Sequence, residues 1–359
     1  MRSSANYRTI VTIATAITAA AFLGAAPVAA QPQPQGSIVV MGFGGLFQDN
    51  YTAFVIEPFM KKHPGVKVEF RPIRNSGEGF ALLQVQKARP TVNVAVMDIA
   101  IAIQGNKAGI FEPLDPAQVP NLADLPGWAK PAGNFGPALS QNYLSILYNT
   151  KQITTRVTSW KELQNPALKG KIGMDIADTR GVVLIPVLAR MAGTDYKTNI
   201  DPAIEFLKGV APSVQTWQTL PEPYTAVQSG QVALAVGWNG RGQFTADQTK
   251  DIVAVSIPSE GSVAQINTIN LVANSANNAA SQAFINYALS VEAQTAFAEK
   301  SYYGPTNSKV KLSPDVEKRI FGEGETKQRL MQLDWTWIAE RYGPWVERIK
   351  REVIGAGAK

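Results

Sequence analysis

The sequence has no cysteine and a single histidine among its 359 residues. Without cysteine the chain forms no disulfide, thiolate nucleophile or thiolate metal site. The histidine, His63, lies in "KKHPGV", a pattern typical of a helix end followed by a turn. A Ser-His-Asp triad or a histidine-rich metal site thus lacks its usual residues. We expect no enzyme, no bound metal and no cofactor.

Charged residues are also sparse, at 17% of the chain, and no block of lysine and arginine is interleaved with aromatic residues. The formal net charge is +6, and it becomes +4 when Arg2 and Arg8 are subtracted with the N-terminal segment discussed next. Such a mild positive charge without a basic patch predicts that the protein does not bind nucleic acid.

Long apolar runs are missing except near the N-terminus. There Arg2 and Arg8 flank the start of an apolar stretch, "TIVTIATAITAAAFLGAA", and small residues follow up to Ala30. This order is typical of a secretory signal peptide, which we place at residues 1–30. A membrane anchor is the alternative, but the strongly apolar part is shorter than a bilayer requires and is rich in Ala and Thr.

Strand and helix patterns alternate along the rest of the chain. "SIVVMGF" predicts a strand that ends at Gly44 and Gly45, and "LFQDNYTAFVIEPFMKKH" carries apolar residues at helical spacing. "VKVEFRPI" and "VNVAVMDIAI" predict further strands. The alternation indicates an α/β protein with a mostly parallel sheet. Ligands of such sheets bind beyond the carboxyl ends of the strands, here 43–45, 73–76 and 98–99.

A second alternation starts near residue 140 and ends near 257, and it indicates a second α/β domain. The next strand, "AQINTINLVANSA", has no matching place in that domain. A long C-terminal helix follows, "QRLMQLDWTWIAERYGPWVERIKREV", which we expect to be interrupted at Gly343 and Pro344. If this last part returns to the first domain, the chain crosses twice between two lobes. The predicted lobes are 37–139 with 258–359 for lobe one, and 140–257 for lobe two.

Six motifs occur in an order that resembles one known family. They are "EPFMKKHPGVKVEF", "SILYNT", "TSWKELQNPALKGKIGM", "AVQSGQVALAVGWNG", "VSIPSEGSVAQINTINLVANSANNAASQAFINYALS" and "YYGPTNSK". Their order is similar to that in periplasmic solute-binding proteins of spermidine/putrescine-type ABC importers. The resemblance implies a two-lobed type II fold, with two mixed or parallel sheets flanked by helices and a hinge between them. It also implies a periplasmic monomer that binds a small-molecule ligand and delivers it to an inner-membrane permease.

The same resemblance implies a set of ligand-binding residues. Carried over position by position, the set contains Phe43, Gly44, Gly45, Asp98, Asp178, Arg180, Trp238, Asn239, Arg241, Gln265 and Asn267. Arg74, with Ser76 beside it, is added because it ends a predicted lobe-one strand. The neighbouring tyrosines Tyr302 and Tyr303 suggest the ferric-iron binders of this fold. Those proteins carry their tyrosine pair at the position that Trp238 and Asn239 occupy here, so we expect no iron.

The chain departs from the polyamine binders at two acidic positions. Their "W-x-D" corresponds to Gln265, Ile266 and Asn267, and their glutamate corresponds to Gly181. Arg241 adds a positive charge that would repel a polyamine and would pair with a carboxylate. We therefore expect a small organic anion or zwitterion, such as an amino-acid derivative. A polyamine is the alternative ligand, and a secreted enzyme of the same fold is the alternative class of protein.

Overall fold

The structure is a computed structural model that describes residue 1 and residues 34–220, 222–250 and 252–355. Apart from Met1, the predicted signal peptide lies outside the described residues. From Pro34 onward the chain forms one unit of alternating strands and helices. The predicted α/β class is confirmed. The residue limits of the two predicted lobes stay a prediction.

The strands follow the predicted order, and some are shorter than the apolar runs that predicted them. The strand "KIGMDIA", for instance, contributes only two residues to a sheet. The strands are β1 (Gly36–Phe43), β2 (Val66–Ile73), β3 (Val94–Asp98), β4 (Phe111–Glu112), β5 (Ala138–Asn149), β6 (Ile172–Gly173), β7 (Val214–Thr216), β8 (Leu234–Trp238), β9 (Val253–Ser256), β10 (Ala264–Val272) and β11 (Gly304–Pro305).

Helices connect these strands, and none in the described part of the chain is long and apolar enough to cross a membrane. The α-helices are α1 (Leu46–Tyr51), α2 (Glu57–Lys62), α3 (Ser76–Val85), α4 (Ile99–Lys107), α5 (Thr179–Met191), α6 (Asp201–Val210), α7 (Pro223–Gln228), α8 (Asn239–Gln248), α9 (Asn278–Ala288), α10 (Val291–Ser301), α11 (Pro314–Phe321), α12 (Gly324–Gln328) and α13 (Trp335–Ile349).

The first sheet brings three parallel strand ends to one edge. β1 pairs in parallel with β2 and β3, and in its register Phe43 lies opposite Ile73. β3 ends at Asp98, and α4 begins at the next residue. β10 then lies antiparallel beside β3, with Asn267 opposite Asp98. The edge where ligands bind in parallel sheets therefore contains the ends of β1, β2 and β3.

β5 belongs to both sheets and joins them. Its first half pairs with β10 of the first sheet, and its second half pairs with β8 and β9 of the second sheet. All twelve of its residues are buried. Asp98 lies opposite Asn267, which lies opposite Ser140 of β5, while Trp238 at the end of β8 lies opposite Leu144. The carboxyl ends of β3 and β8 thus converge on the middle of one strand.

The C-terminal helix differs from its prediction. α13 begins at Trp335, where Asp334 Oδ1 accepts a hydrogen bond from the Trp337 amide at 3.1 Å, and it continues through Pro344 without interruption. Proline lacks only one helical hydrogen bond, and packing of α13 against α4 and α5 compensates for it.

The aromatic residues of α13 pack against α5 and the segment that follows it. Trp337 and Trp345 pack edge-on against Tyr196, which follows α5, at ring distances of 5.6 Å and 6.4 Å. The hydroxyl of Tyr342 contacts Thr179, the first residue of α5. α13 therefore contacts both α4, which follows β3 of the first sheet, and α5, which follows β6 of the second.

Candidate ligand-binding site

Asp98 is a partly buried carboxylate with neutral hydrogen-bond donors around it. Thr179 Oγ1 donates to its Oδ2 at 2.7 Å, and Gln265 Nε2 donates to its Oδ1 at 2.6 Å. Its backbone amide donates to the Ser76 hydroxyl at 2.8 Å. Within the part of the chain that the structure describes, no lysine or arginine forms an ion pair with it.

This environment raises the pKa of Asp98 to about 6. Burial is the largest cause, because it disfavours the charged form, and the negative charge of Asp178 acts in the same direction. The hydrogen bonds of the carboxylate with the side chains of Thr179 and Ser76, and the charge of Arg180, lower the pKa and only partly offset burial. Asp98 is therefore an acid whose charge the protein leaves without a matching cation.

The hydrogen bond between Asp98 and Thr179 connects three segments that are remote in sequence. Asp98 ends β3, Thr179 opens α5, and the Thr179 hydroxyl lies 3.0 Å from the Tyr342 hydroxyl of α13. Thr179 is buried, and burial raises the pKa of Tyr342 above its usual value. The sequence did not predict Thr179 or Tyr342 as site residues, since neither belongs to the motifs that carried the resemblance.

Arg180 is already bound by acids of its own segment. Asp178 caps α5 by accepting from the Arg180 amide at 2.8 Å, and the Arg180 guanidinium pairs with Asp178 at 2.7 Å and with Asp175 at 3.7 Å. Burial lowers the pKa of Arg180, but the charges of Asp178 and Asp175 outweigh it, so the pKa lies above its usual value. Arg180 and Asp178 thus form an ion pair at the start of α5, and Asp178 also caps that helix.

Arg241 lies in the first turn of α8 and has two partners on the same side of β5. Its guanidinium forms an ion pair with Glu222 and lies over the Tyr224 ring, 4.9 Å from the ring centre. It also reaches across to the first sheet. A Cβ atom at Gly45 would lie 3.3 Å from Arg241 Nη2, and Gly45 has a φ of 66°, so glycine suits the position on both counts.

Tyr303 is influenced by the charges of both Asp98 and Arg241. It is buried, which raises its pKa to about 12, while the charge of Arg241 lowers that pKa and the charge of Asp98 raises it. Its phenol also has a hydrogen bond with the Asn142 side chain of β5. Tyr224, likewise buried, is affected by the charges of both Arg241 and Arg180. We call Asp98, Thr179, Arg180, Tyr224, Arg241 and Tyr303 the central cluster.

Two predicted aromatic residues, Phe43 and Trp238, lie at the ends of β1 and β8. Trp238 ends β8 and is partly buried, and its amide donates to the Tyr224 hydroxyl at 2.8 Å. Phe43 ends β1, is also partly buried, and packs edge-on against Phe47 with ring centres 5.5 Å apart. Between Phe43 and α1, the Gly44 amide donates to the Ile73 carbonyl at 3.0 Å, which fixes the glycine turn.

Three other predicted residues have structural partners. The fully buried Asn239 donates to the carbonyl of Arg319 at 2.7 Å. Arg74 pairs with Glu78 at 3.0 Å, and its side chain is 86% exposed. Neither residue joins the central cluster. The Asn267 side chain is buried and accepts from Gln265 Nε2 at 2.9 Å, so it orients the donor that bonds Asp98.

The region contains more acids than Asp98 and Asp178, the two that the sequence predicted as site residues. Four carboxylates lie in or beside the central cluster, those of Asp98, Asp175, Asp178 and Glu222, against the two guanidinium groups of Arg180 and Arg241. The sequence missed Glu222 because its pairing with Arg241 joins the residue before α7 to the first turn of α8. The described residues contain no cluster of acids and histidine that could hold a metal ion.

Gly181 is a position where this chain accepts no side chain. A Cβ atom there would lie 2.0 Å from the Ile176 carbonyl oxygen and 2.8 Å from Ile349 Cδ1 of α13. The glutamate that polyamine binders carry at the matching position therefore does not fit here without movement of the backbone. The missing acid reflects how α5 packs against α13.

Comparisons with known proteins agree with this geometry. A sequence profile described as bacterial extracellular solute-binding protein matches residues 55–320. The spermidine/putrescine-binding periplasmic protein of Escherichia coli is 25% identical, over 85% of this chain and 91% of its own. The gamma-aminobutyric acid-binding protein of Pseudomonas aeruginosa is 25% identical, over 78% of this chain and 79% of its own.

A solved structure of an ABC transporter protein from Clostridium perfringens is 30% identical, with a TM-score of 0.67, and it covers 88% of this chain and 99% of its own. The sheet order, the strand-end site and these similarities support one conclusion. The predicted type II fold is confirmed, and the chain belongs to the family of bacterial extracellular solute-binding proteins.

Proposed function

We propose that this solute-binding component of an ABC transporter captures a small zwitterion of the amino-acid type, with an ammonium group at Asp98 and a carboxylate at Arg241. The observation that carries the proposal is the unmatched charge of Asp98. A partly buried carboxylate with neutral donors gains most from a ligand that supplies the missing cation. Arg241 offers a planar fork that pairs with a carboxylate.

Residues from both sheets take part in this binding mode. Asp98 and Gly45 belong to the first sheet and its connections, and Arg241 and Trp238 belong to the second. A ligand held at both ends stabilises the closed arrangement of lobes 37–139 with 258–359 and 140–257, and so shifts an open–closed equilibrium. The closed protein, acting as a monomer in the periplasm, then delivers its ligand to an inner-membrane permease.

A polyamine is the second candidate ligand, and one observation favours it. The acids near the central cluster outnumber the arginines, and diammonium ligands need carboxylates. The relative from Escherichia coli is named for such ligands. Against this candidate, the acids other than Asp98 already pair with Arg180 or Arg241, and Gly181 leaves no room for another.

Three four-carbon compounds separate these proposals, since they differ only in their end groups. They are 4-aminobutyrate, succinate and putrescine. Binding to the folded protein raises its melting temperature, because the ligand stabilises only the native state. We expect 4-aminobutyrate to raise the melting temperature most. A shift with putrescine alone would support the polyamine reading, and turnover of a test ester without any shift would support the enzyme.

A further inference from the structure

Glu222 pairs with Arg241 beside the central cluster and has no capping role in the helix that follows it. It precedes α7, yet its side chain does not cap that helix, and it accepts only a long local bond among the described residues, from Thr225 Oγ1 at 3.4 Å. Its close partner is Arg241. Asp178 differs, because it caps α5 and pairs with Arg180 at the same time. The Glu222 side chain can therefore leave Arg241 without unwinding a helix.

The pair is also accessible. The side chains of Arg241 and Glu222 are 28% and 27% exposed, so neither charge is sealed in the interior. An arginine left alone in such a place would be poorly solvated, and a carboxylate of the protein removes that cost when no ligand is present. Glu222 thus resembles, in charge and shape, the carboxylate group of a ligand that binds Arg241.

We infer that Glu222 is an internal competitor that occupies the carboxylate end of the site and is exchanged for the carboxylate of the ligand. This inference rests on the proposed function of Arg241. The ligand carboxylate must displace Glu222 before it pairs with Arg241, so Glu222 lowers the affinity for every carboxylate ligand. Selectivity then depends mainly on the ammonium end at Asp98. Glu222 is in this sense a specificity-determining residue.

The test compares Glu222→Gln with the wild-type protein by isothermal titration calorimetry, using succinate, 4-aminobutyrate and putrescine as probes. Glutamine keeps the size of the side chain and removes its charge. Because a partly exposed ion pair contributes about 1 kcal/mol, we expect succinate and 4-aminobutyrate to bind about fivefold more tightly. Putrescine, which has no carboxylate, should gain nothing.

Two further variants sharpen the test. In the double variant Glu222→Gln with Arg241→Ala the gain should vanish, because the freed arginine is its cause. Glu325→Gln removes the same charge from an exposed pair with Arg329 on α12 and should change no affinity. Weaker binding of succinate or 4-aminobutyrate to Glu222→Gln, no gain, or a gain that persists without Arg241, would overturn the inference.

The two proposals fail in different measurements. The proposed function is tested by which probe the wild-type protein prefers, and a preference for putrescine would contradict it. The competitor role is tested by the ratio of succinate affinities between variant and wild type, whichever probe the wild type prefers. Loss of putrescine binding in Glu222→Gln would overturn the competitor role, because Glu222 would then serve the cation of the ligand.

Discussion

The two ends of the candidate site, Asp98 and Arg241, differ in how their charges are matched before a ligand binds. Asp98 has neutral donors and, among the residues that the structure describes, no ion pair, so burial destabilises its charge. Arg241 has an ion pair with Glu222 and an aromatic face from Tyr224, so its charge is matched before any ligand arrives. A ligand gains free energy by completing the first end and only exchanges partners at the second. The acidic end, Asp98, should therefore contribute most of the affinity.

The difference follows from where each end lies in the fold. Asp98 lies at the end of β3, which is fixed between β1 and β10. Arg241 and Glu222 lie on short helical segments after and before β8, where side chains can reorganise. A rigid strand end holds an unmatched charge better than a helix surface does.

The largest effect is expected for Asp98→Asn. Asparagine can keep the contacts with Gln265 and Thr179, because it offers one oxygen and one amide, but it removes the charge. Loss of a charge-assisted contact of about 2.7 kcal/mol corresponds to a hundredfold weaker binding of 4-aminobutyrate by calorimetry. Asp315→Asn, on the exposed start of α11, is the matched control and should bind normally. Unchanged binding to Asp98→Asn would place the ammonium group elsewhere.

The same variant should make the ligand-free protein more stable. The folded pKa of Asp98, about 6, lies above the usual 3.8, so the stability that its protonated form contributes is present below pH 3.8 and lost as the pH rises through 6. At pH 7 this loss amounts to roughly 3 kcal/mol at most, and asparagine avoids it. We expect a higher melting temperature at pH 7, and no gain at pH 3.5. A variant less stable at pH 7 would contradict the burial of an unmatched charge.

Arg241→Ala should have the next largest effect on binding. The ligand carboxylate loses its fork of donors, and we expect at least about tenfold weaker binding of 4-aminobutyrate, since a charge-assisted bond contributes about 1.5–3 kcal/mol. The loss should be smaller than for Asp98→Asn, because the wild-type carboxylate must displace Glu222. If Arg241→Ala were the more damaging variant in calorimetry, the order of the two ends would be reversed.

The pH dependence tests the acidic end without any substitution. Ionised Asp98 attracts the ammonium group, and a group with a pKa of about 6 loses about nine tenths of its charge between pH 7 and pH 5. The affinity for 4-aminobutyrate should therefore fall about tenfold over this range, while the charges of the ligand itself stay constant. The titratable and charged groups that interact with Asp98 are Asp178, Arg180 and the phenols of Tyr303 and Tyr342. A profile that stays equally steep in Asp98→Asn would assign the titration to another group.

Sequence patterns predicted the strand ends better than the partners that meet there. Asp98 lies at a predicted strand end, so the general rule for α/β sheets found it, whereas Arg241 was implied by the family resemblance. Glu222 and Tyr303 were missed as site residues because they precede or follow other elements, and only the tertiary fold brings them to Arg241. Arg180 was predicted as a ligand-binding residue, and only the fold shows that its guanidinium pairs with Asp178 and Asp175.

β5 shows the same limit at the level of the fold. Its second half, "YLSILYN", has the apolar pattern of a strand. The first half contains Ser140, Gln141 and Asn142, and these polar residues form no such pattern. Those polar side chains are buried because they have partners. Asn142 Oδ1, for example, accepts from the Gly240 amide at 3.0 Å. A strand that joins two sheets beside a binding site carries polar residues for these bonds, and local hydropathy cannot distinguish it from a loop.

The smallest effect is expected for Tyr303→Phe, whose phenol is influenced by both ends of the site. The phenol is influenced by Arg241 and Asp98 but pairs with Asn142, so its loss should weaken binding of 4-aminobutyrate only two- to threefold, or about 0.5 kcal/mol. Tyr302→Phe is the matched control at the adjacent position. The Tyr302 hydroxyl donates to Asp247 at 2.7 Å, away from the central cluster, and its removal should lower the melting temperature without changing affinity. A tenfold loss in Tyr303→Phe would make this phenol a direct ligand contact and would divide the affinity among three groups rather than two.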